Sequence, residues 1–204
     1  MARIGTDILN MIRENPCDPC TSFPETPNLM LLELILFFIF SIPLLAYSWP
    51  ALRNRRAHGF YRFFAWEAIL SLIVVNLRHW FADPFSPLHL LAWALLLVSI
   101  FLALHGFWLL RQVGQPQVKF ENTTRLVTVG AYRYIRHPLY ASLLCLAAGA
   151  WLKQVTPLTT ALFVLAALCI YATARVEEGE NLARFGPEYA DYMRQTKMFI
   201  PLLI

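Results

Sequence analysis

The chain is expected to fold as an all-α, polytopic membrane helix bundle of about five transmembrane helices, the last two forming a hairpin. Three observations predict this. Of its 204 residues 58% are hydrophobic and only 15% charged, whereas a soluble domain carries about a quarter charged residues. Mean hydropathy is +0.51. The apolar residues also gather into five runs, separated by polar segments in which arginine is frequent.

The first run is Leu29 to Tyr47, the second Phe63 to Phe81, the third Leu88 to Leu110 and the fifth Pro157 to Ala174. Each approaches or exceeds the ~20 apolar residues that a spanning helix requires. The fourth, Leu139 to Leu152, is shorter and is expected to be tilted or partly embedded in protein. Between it and the fifth run, "KQVTP" leaves room only for a tight turn, so residues 138–174 read as a helical hairpin. The first 28 residues are mixed and polar, unlike the basic-then-apolar start of a cleavable signal peptide. Residues 1–28 are therefore expected to form an extracytoplasmic segment, 29–110 helices one to three, and 111–204 the second half of one membrane unit.

Lysine and arginine fix the expected orientation. Arg53, Arg55, Arg56, Arg62, Arg111, Lys119, Arg125, Arg133, Arg136, Arg175, Arg184, Arg194 and Lys197 fall in alternate polar segments on one side. Only Arg3, Arg13, Arg78 and Lys153 fall on the other. The N-terminus is thus expected outside and the C-terminus in the cytoplasm. The net charge of +4 is accounted for by a rim facing anionic membrane lipids, and the scattered arginines offer no reading surface for nucleic acid. Cys17 and Cys20, in "NPCDPCTSFP", lie outside by this topology, where a disulfide can persist. No second pair or nearby histidine completes a metal site. Cys145 and Cys169 fall inside helices and read as packing residues.

Polar residues inside membrane runs are costly and tend to mark function. Glu33, Glu67, Asn76, Arg78, His79 and His105 lie in or near such runs, yet each alone is an ordinary candidate for a helix–helix contact. Two segments on the basic side are different. In "TTRLVTVGAYRYIRHPLYAS", 123–142, Gly130 permits a turn or a close approach. Pro138 suits the first turn of a helix, whose free amides offer a place for a carboxylate. Arg136 and His137 stand beside it, with Tyr140 one turn on. An interfacial aromatic and basic belt explains the arginines and tyrosines, but not a glycine, a histidine and a proline at fixed offsets.

The second segment is "RVEEGENLARFGPEYADYMRQTKMFIP", 175–201. Glu177, Glu178 and Glu180 gather where the fifth run ends, against the sign of a helix dipole. They are either a solvated helix end paired with Arg175 or Arg184, or carboxylates holding a cationic ligand. The hairpin brings both segments to one mouth, which suits a zwitterion carrying a carboxylate and an ammonium. No glycine-rich phosphate cradle is present.

"LVTVGAYRYIRHPLY", followed about 35 residues later by "EEGENLARFGPEYADY", resembles the isoprenylcysteine carboxyl methyltransferase family. That family belongs with the phospholipid N-methyltransferases in a larger group of membrane methyltransferases. The resemblance covers roughly residues 105–201. It implies a helix bundle that binds S-adenosylmethionine, released as S-adenosylhomocysteine, in a pocket near the cytoplasmic face. Leu126, Val127, Gly130 and Tyr132 match one family stretch, and Arg136, His137, Pro138 and Tyr140 the next. Glu177 and Glu178 match the paired glutamates; Phe185, Gly186, Tyr189 and Tyr192 match the pattern after them. Thr124 stands where the family commonly has a histidine, and Leu182, after Asn181, is displaced by one position.

The resemblance implies methyl transfer to a lipidic acceptor in the membrane. A prenylcysteine-type carboxylate is slightly favoured over a phospholipid amine such as phosphatidylethanolamine or a small thiol. Arg175 is then expected to aim a carboxylate, and Glu178 or His137 to take a proton from an amine. The non-enzymatic alternative is an assembly or transport component that keeps the fold. A topology test follows from the charge split. Single cysteines introduced at Asn54 and Gln154 should label from opposite faces, with position 54 cytoplasmic; the reverse sidedness would put the mouth in the wrong compartment.

Overall fold

The computed structural model describes residues 27–115 and 123–201. Cys17, Cys20, Arg3, Arg13 and Lys119 lie outside the described residues, as does nearly all of the expected segment 1–28. The chain divides into two compact units, Met1–Leu32 and Glu33–Ile204. Of the first, only the opening of the first helix is described; the second holds the remaining elements.

Six α-helices are described: α1 Pro27–Leu52, α2 His58–Val75, α3 Pro87–Gln112, α4 Pro138–Trp151, α5 Pro157–Phe185 and α6 Pro187–Gln195. Short 3-10 turns occur at Leu77–His79 and Gly130–Arg133. Among the described residues there is no strand, only an isolated bridge between Ile135 and Lys197. Helices α1, α2, α3 and α5 are long and apolar enough to cross a membrane, so the chain is an integral membrane protein with an all-α bundle. Helix α4, with 14 residues, is about 21 Å long, well short of the ~30 Å hydrocarbon core.

Local chemistry sets the helix ends. The Ser86 hydroxyl accepts from His89 N at 3.3 Å, and Pro87 occupies the first turn of α3. At α5 the Thr156 and Thr159 hydroxyls accept from each other's backbone N–H, at 3.2 and 2.9 Å. Three features differ from the hydropathy pattern. Helix α2 stops at Val75 because Asn76 leaves the helix and turns its amide to Ala150 O at 2.8 Å. Helix α5 runs eleven residues past Ala174, keeping the glutamates helical until Gly186, at φ +58, ends it. Helix α6 follows with only Tyr189 and Tyr192 buried.

Helix α2 packs chiefly on α5, and α3 on α4, while α4 also touches α5 and α2. Alanines dominate the contacts: Ala65, Ala68, Ala147, Ala150, Ala166 and Ala174 are all nearly or fully buried. Small residues let helix backbones approach where lipid offers no hydrophobic drive for association. Helices α2 and α3, adjacent in sequence, are not among the pairs that pack closely.

The polar residues of the apolar runs tie elements together. Arg78 Nε donates to Glu33 Oε1 at 2.6 Å, and the Ser41 hydroxyl lies 3.0 Å from both Glu67 oxygens. His105 instead stacks within its own helix, on Phe101 at 5.6 Å. At the turn between α4 and α5, Lys153 is 3% exposed, with its ammonium 3.6 Å from the Trp93 ring centroid. Burial pushes its pKa down, and the indole face offsets part of that cost.

A Cβ on Gly149 would stand 2.9 Å from Leu96 Cγ and 3.0 Å from the Ala92 carbonyl oxygen, so glycine sets the α3–α4 distance. Gly149→Val should cost about 1–3 kcal/mol, the usual penalty for overpacking. Thermal unfolding of the detergent-solubilised protein would register this as a midpoint lowered by several degrees.

Candidate active site

Residues 126–137 reach the site by a path that requires glycine. Gly130 has φ +60, and a Cβ there would lie 2.7 Å from Leu109 Cδ1 and 2.8 Å from His105 Nε2. The segment can therefore lie against α3. After the 3-10 turn, residues 134–137 pair with 197–198. Arg136 N donates to Lys197 O at 2.7 Å, His137 N to Met198 O at 3.1 Å, and Lys197 N to Tyr134 O at 3.2 Å. Pro138 then opens α4, whose first turn carries no side-chain cap.

Arg136 is the central side chain. Its Nε donates to Glu178 Oε1 at 2.8 Å, and its terminal nitrogen donates to Met193 O at 3.1 Å and closely to Thr196 O. Glu178 is 2% exposed. Its second oxygen accepts from Arg175 at 3.3 Å, a residue whose side chain is 58% exposed. One carboxylate is thus held by a buried arginine on one side and an exposed one on the other.

His137 stacks on Tyr140, with centroids 5.4 Å apart. Its Nε2 is 3.7 Å from Glu178 Oε1, too far for a hydrogen bond, and it is buried with no hydrogen-bond partner among the described residues. The Tyr140 hydroxyl donates to Glu177 Oε2 at 2.5 Å.

These groups surround a cavity of about 420 Å3. Leu126, Val127, Tyr132, Arg136, His137, Tyr140 and Glu177 line it. Gly130 and Pro138 shape the wall without lining it. Glu178 stands behind the wall holding Arg136, and Arg175 lies outside it. The sequence reading missed the wall given by Arg62 and Trp66 of α2 and by Leu104 and Phe107 of α3. A lone arginine close to an apolar run was the available signal for Arg62; Trp66 carried none. Thr124 does not line the cavity. Its hydroxyl donates to Gln115 O at 3.1 Å, whereas its neighbour Thr123 is a wall residue.

Three phenols complete the wall. Burial, chiefly, pushes Tyr189 up to about 12. Tyr192 and Tyr132 rise as well, first by burial, then by the neighbouring tyrosine for the former and by the Glu177 carboxylate for the latter. All three stay protonated at physiological pH, and the Tyr192 hydroxyl donates to Tyr132 O at 2.6 Å. The cavity thus joins a carboxylate, an unsatisfied imidazole nitrogen, uncapped amides and neutral phenols with an aliphatic and aromatic flank. Among the described residues no cluster suits a metal ion.

A family model for phospholipid methyltransferases matches residues 87–186. A methanethiol S-methyltransferase of Crocosphaera subtropica is 31% identical over 122 residues, covering 58% of this chain and 47% of that protein. A probable protein-S-isoprenylcysteine O-methyltransferase of Oryza sativa is 32% identical over 89 residues, covering 43% and 46%. The chain therefore spans about half the length of these two relatives. A cobalt-zinc-cadmium resistance protein of Cupriavidus metallidurans is 31% identical over 164 residues, covering 76% of this chain and 72% of the relative. No solved structure matches. The matched segment contains Arg136, His137, Tyr140, Glu177 and Glu178, and the Cupriavidus protein matches over 164 residues: the chain belongs to the superfamily of integral membrane methyltransferases that unites phospholipid methyltransferases with isoprenylcysteine carboxyl methyltransferases.

Proposed function

We propose that the protein is an S-adenosylmethionine-dependent methyltransferase, with its cavity open to the cytoplasm, that acts on an acceptor dissolved in the membrane. The observation that carries this reading is the meeting of both sequence segments in one cavity, with Glu177 and Tyr140 bonded at 2.5 Å beside the unsatisfied Nε2 of His137. The donor set fits a zwitterionic cofactor. The uncapped amides opening α4 suit its carboxylate, because a helix N-terminus favours an anion. Glu177 suits its ammonium, and the Tyr132, Tyr189 and Tyr192 rings suit a flat heteroaromatic base.

The bound cofactor supplies an electrophilic methyl group; the protein supplies position and exclusion of water. In-line displacement depends mostly on alignment. Arg136 fixes the wall through Glu178 and the carbonyls of Met193 and Thr196, so His137 and Tyr140 are held before any ligand arrives. In this proposal Glu178 is a positioning residue, and Arg175 acts through it from outside. An amine acceptor would lose its proton to His137, the wall's base nearest Glu178.

The acceptor enters from the bilayer. Leu104 lines the cavity yet is 68% exposed on a helix apolar enough to span the membrane, and α2 does not pack closely on that helix. A lipidic carboxylate of the prenylcysteine type reaches the cavity by this gap, with its tail left in lipid. A small thiol is the second reading. It is favoured by the cavity's 420 Å3, near the lower end of the ~300–1,000 Å3 range of ligand sites, which leaves little room beside a cofactor.

S-adenosylhomocysteine should bind without any acceptor. His137→Ala, Tyr140→Phe and Glu177→Gln should each weaken it by about ten- to a hundred-fold, the value of a lost hydrogen bond to a charged group; unchanged calorimetric affinity in all three folded variants would refute the site. The two arginines on Glu178 should separate in stability. Breaking the buried pair with Glu178→Gln should cost about 3–5 kcal/mol, whereas Arg175→Gln should cost no more than about 1 kcal/mol. Denaturation of the solubilised protein measures both.

A further inference from the structure

We propose that the cavity face of α5 reads S-adenosylmethionine in order along its length, with Glu177 at the ammonium, Asn181 at the two ribose hydroxyls and Phe185 against the adenine ring. The proposal rests on the methyltransferase reading. It adds to that reading a recognition residue, Asn181, and a direction for the cofactor in its site.

Glu177, Asn181 and Phe185 follow one another at intervals of four on α5, and all three line the cavity. Positions four apart stand one above another on the same helix face. Each step advances about 6 Å along the axis, so the three side chains form a stripe about 12 Å long. It begins at the depth of Tyr140, which is bonded to Glu177 at 2.5 Å, and ends where Gly186 stops the helix. The neighbouring positions face elsewhere. Glu178 is turned to Arg136, and Leu182 is 38% exposed. The leucine displaced by one position in the sequence therefore lies off the wall, and an amide takes its place there.

Along this stripe the chemistry passes from carboxylate to amide to aromatic ring. The cofactor passes in the same order from an ammonium, through a vicinal diol, to a flat base. Asn181 suits the diol because its side chain carries both an acceptor oxygen and a donor nitrogen, while each ribose hydroxyl can donate and accept. The half-buried Asn181 side chain is also hydrogen-bonded to Tyr189, a phenol only 2% exposed, which holds the amide in the wall. Beyond it, Phe185 and Tyr189 give the base aromatic surface on which to stack. The reverse direction would set the base against Glu177 and leave the ammonium at Phe185, with no carboxylate at that end of the stripe.

The test uses the full-length solubilised protein and two ligands, S-adenosylhomocysteine and its analogue lacking both ribose hydroxyls. Calorimetry gives their affinities for the unaltered protein and for Asn181→Leu. The unaltered protein should bind the dideoxy analogue about ten-fold more weakly, the loss expected for two neutral hydrogen bonds. Asn181→Leu should weaken S-adenosylhomocysteine by a similar factor yet leave the analogue within about two-fold, because both changes remove the same contact. Equal binding of the two ligands by the unaltered protein overturns the proposal, whether or not the variant folds. A variant that weakens both ligands alike also overturns it, since Asn181 would then only support the wall. Phe185→Ala should weaken both ligands about ten-fold, as both keep the base that stacks there; unchanged affinity would overturn the assigned direction. If S-adenosylhomocysteine does not bind the unaltered protein, the methyltransferase reading falls and this inference with it. Binding without discrimination against the dideoxy analogue refutes the inference alone.

Discussion

The ion pair between Arg136 and Glu178 joins pieces of chain that the sequence keeps far apart. Arg136 precedes α4, Glu178 lies in the last turns of α5, and Met193 and Thr196 follow from α6 and the segment after it. Removing a carboxylate and a guanidinium from water costs several kcal/mol for each ion, and their attraction compensates only where further hydrogen bonds are satisfied. Here they are: the guanidinium finds two carbonyls besides the carboxylate, and the carboxylate finds a second arginine. The wall carrying His137 and Tyr140 is tied by this pair to α5 and to the segment after α6.

Such a concentration of polar groups at the end of a membrane bundle has a physical reason. In the proposed function, a water-soluble cofactor needs hydrogen bonds and charge, and an acceptor dissolved in lipid needs an apolar approach. The two requirements meet where helix ends are still protein-enclosed but the flank is hydrocarbon. The division between α2–α5 packing and α3–α4 packing provides that geometry, because the helices that do not pack tightly on each other flank the cavity with Trp66 and Phe107.

Much of this was legible in the sequence. Hydropathy alone located α1, α3, α4 and the start of α5, because crossing a bilayer imposes a long apolar run and little else does. The end of α2 was hidden, since Asn76 stops that helix through a partner 74 residues away. Helix α6 was hidden because it buries only two tyrosines and has no apolar run. The Arg136 segment was readable because its chemistry is local, with glycine, histidine and proline close together. Which of two adjacent glutamates faces the cavity was not. Neighbours on a helix point about 100° apart, and only the packing of α5 turns Glu177 inward to Tyr140 and Glu178 toward Arg136. Arg62 was least visible, since its place depends on how two helices more than a hundred residues apart align.

The pairing of residues 134–137 with 193–198 also has a consequence for biosynthesis. Arg136 and its carbonyl partner at Thr196 are 60 residues apart. At translation rates of about 5–20 residues per second, the Arg136 segment emerges some ~3–12 s before the carbonyls that satisfy it. During that interval the bundle helices can already be inserted, yet a guanidinium and two backbone N–H groups at the membrane edge lack their final partners. The cavity is thus the last part of the molecule to mature, and a nascent chain released before Met198 would be a membrane bundle with an unfinished wall.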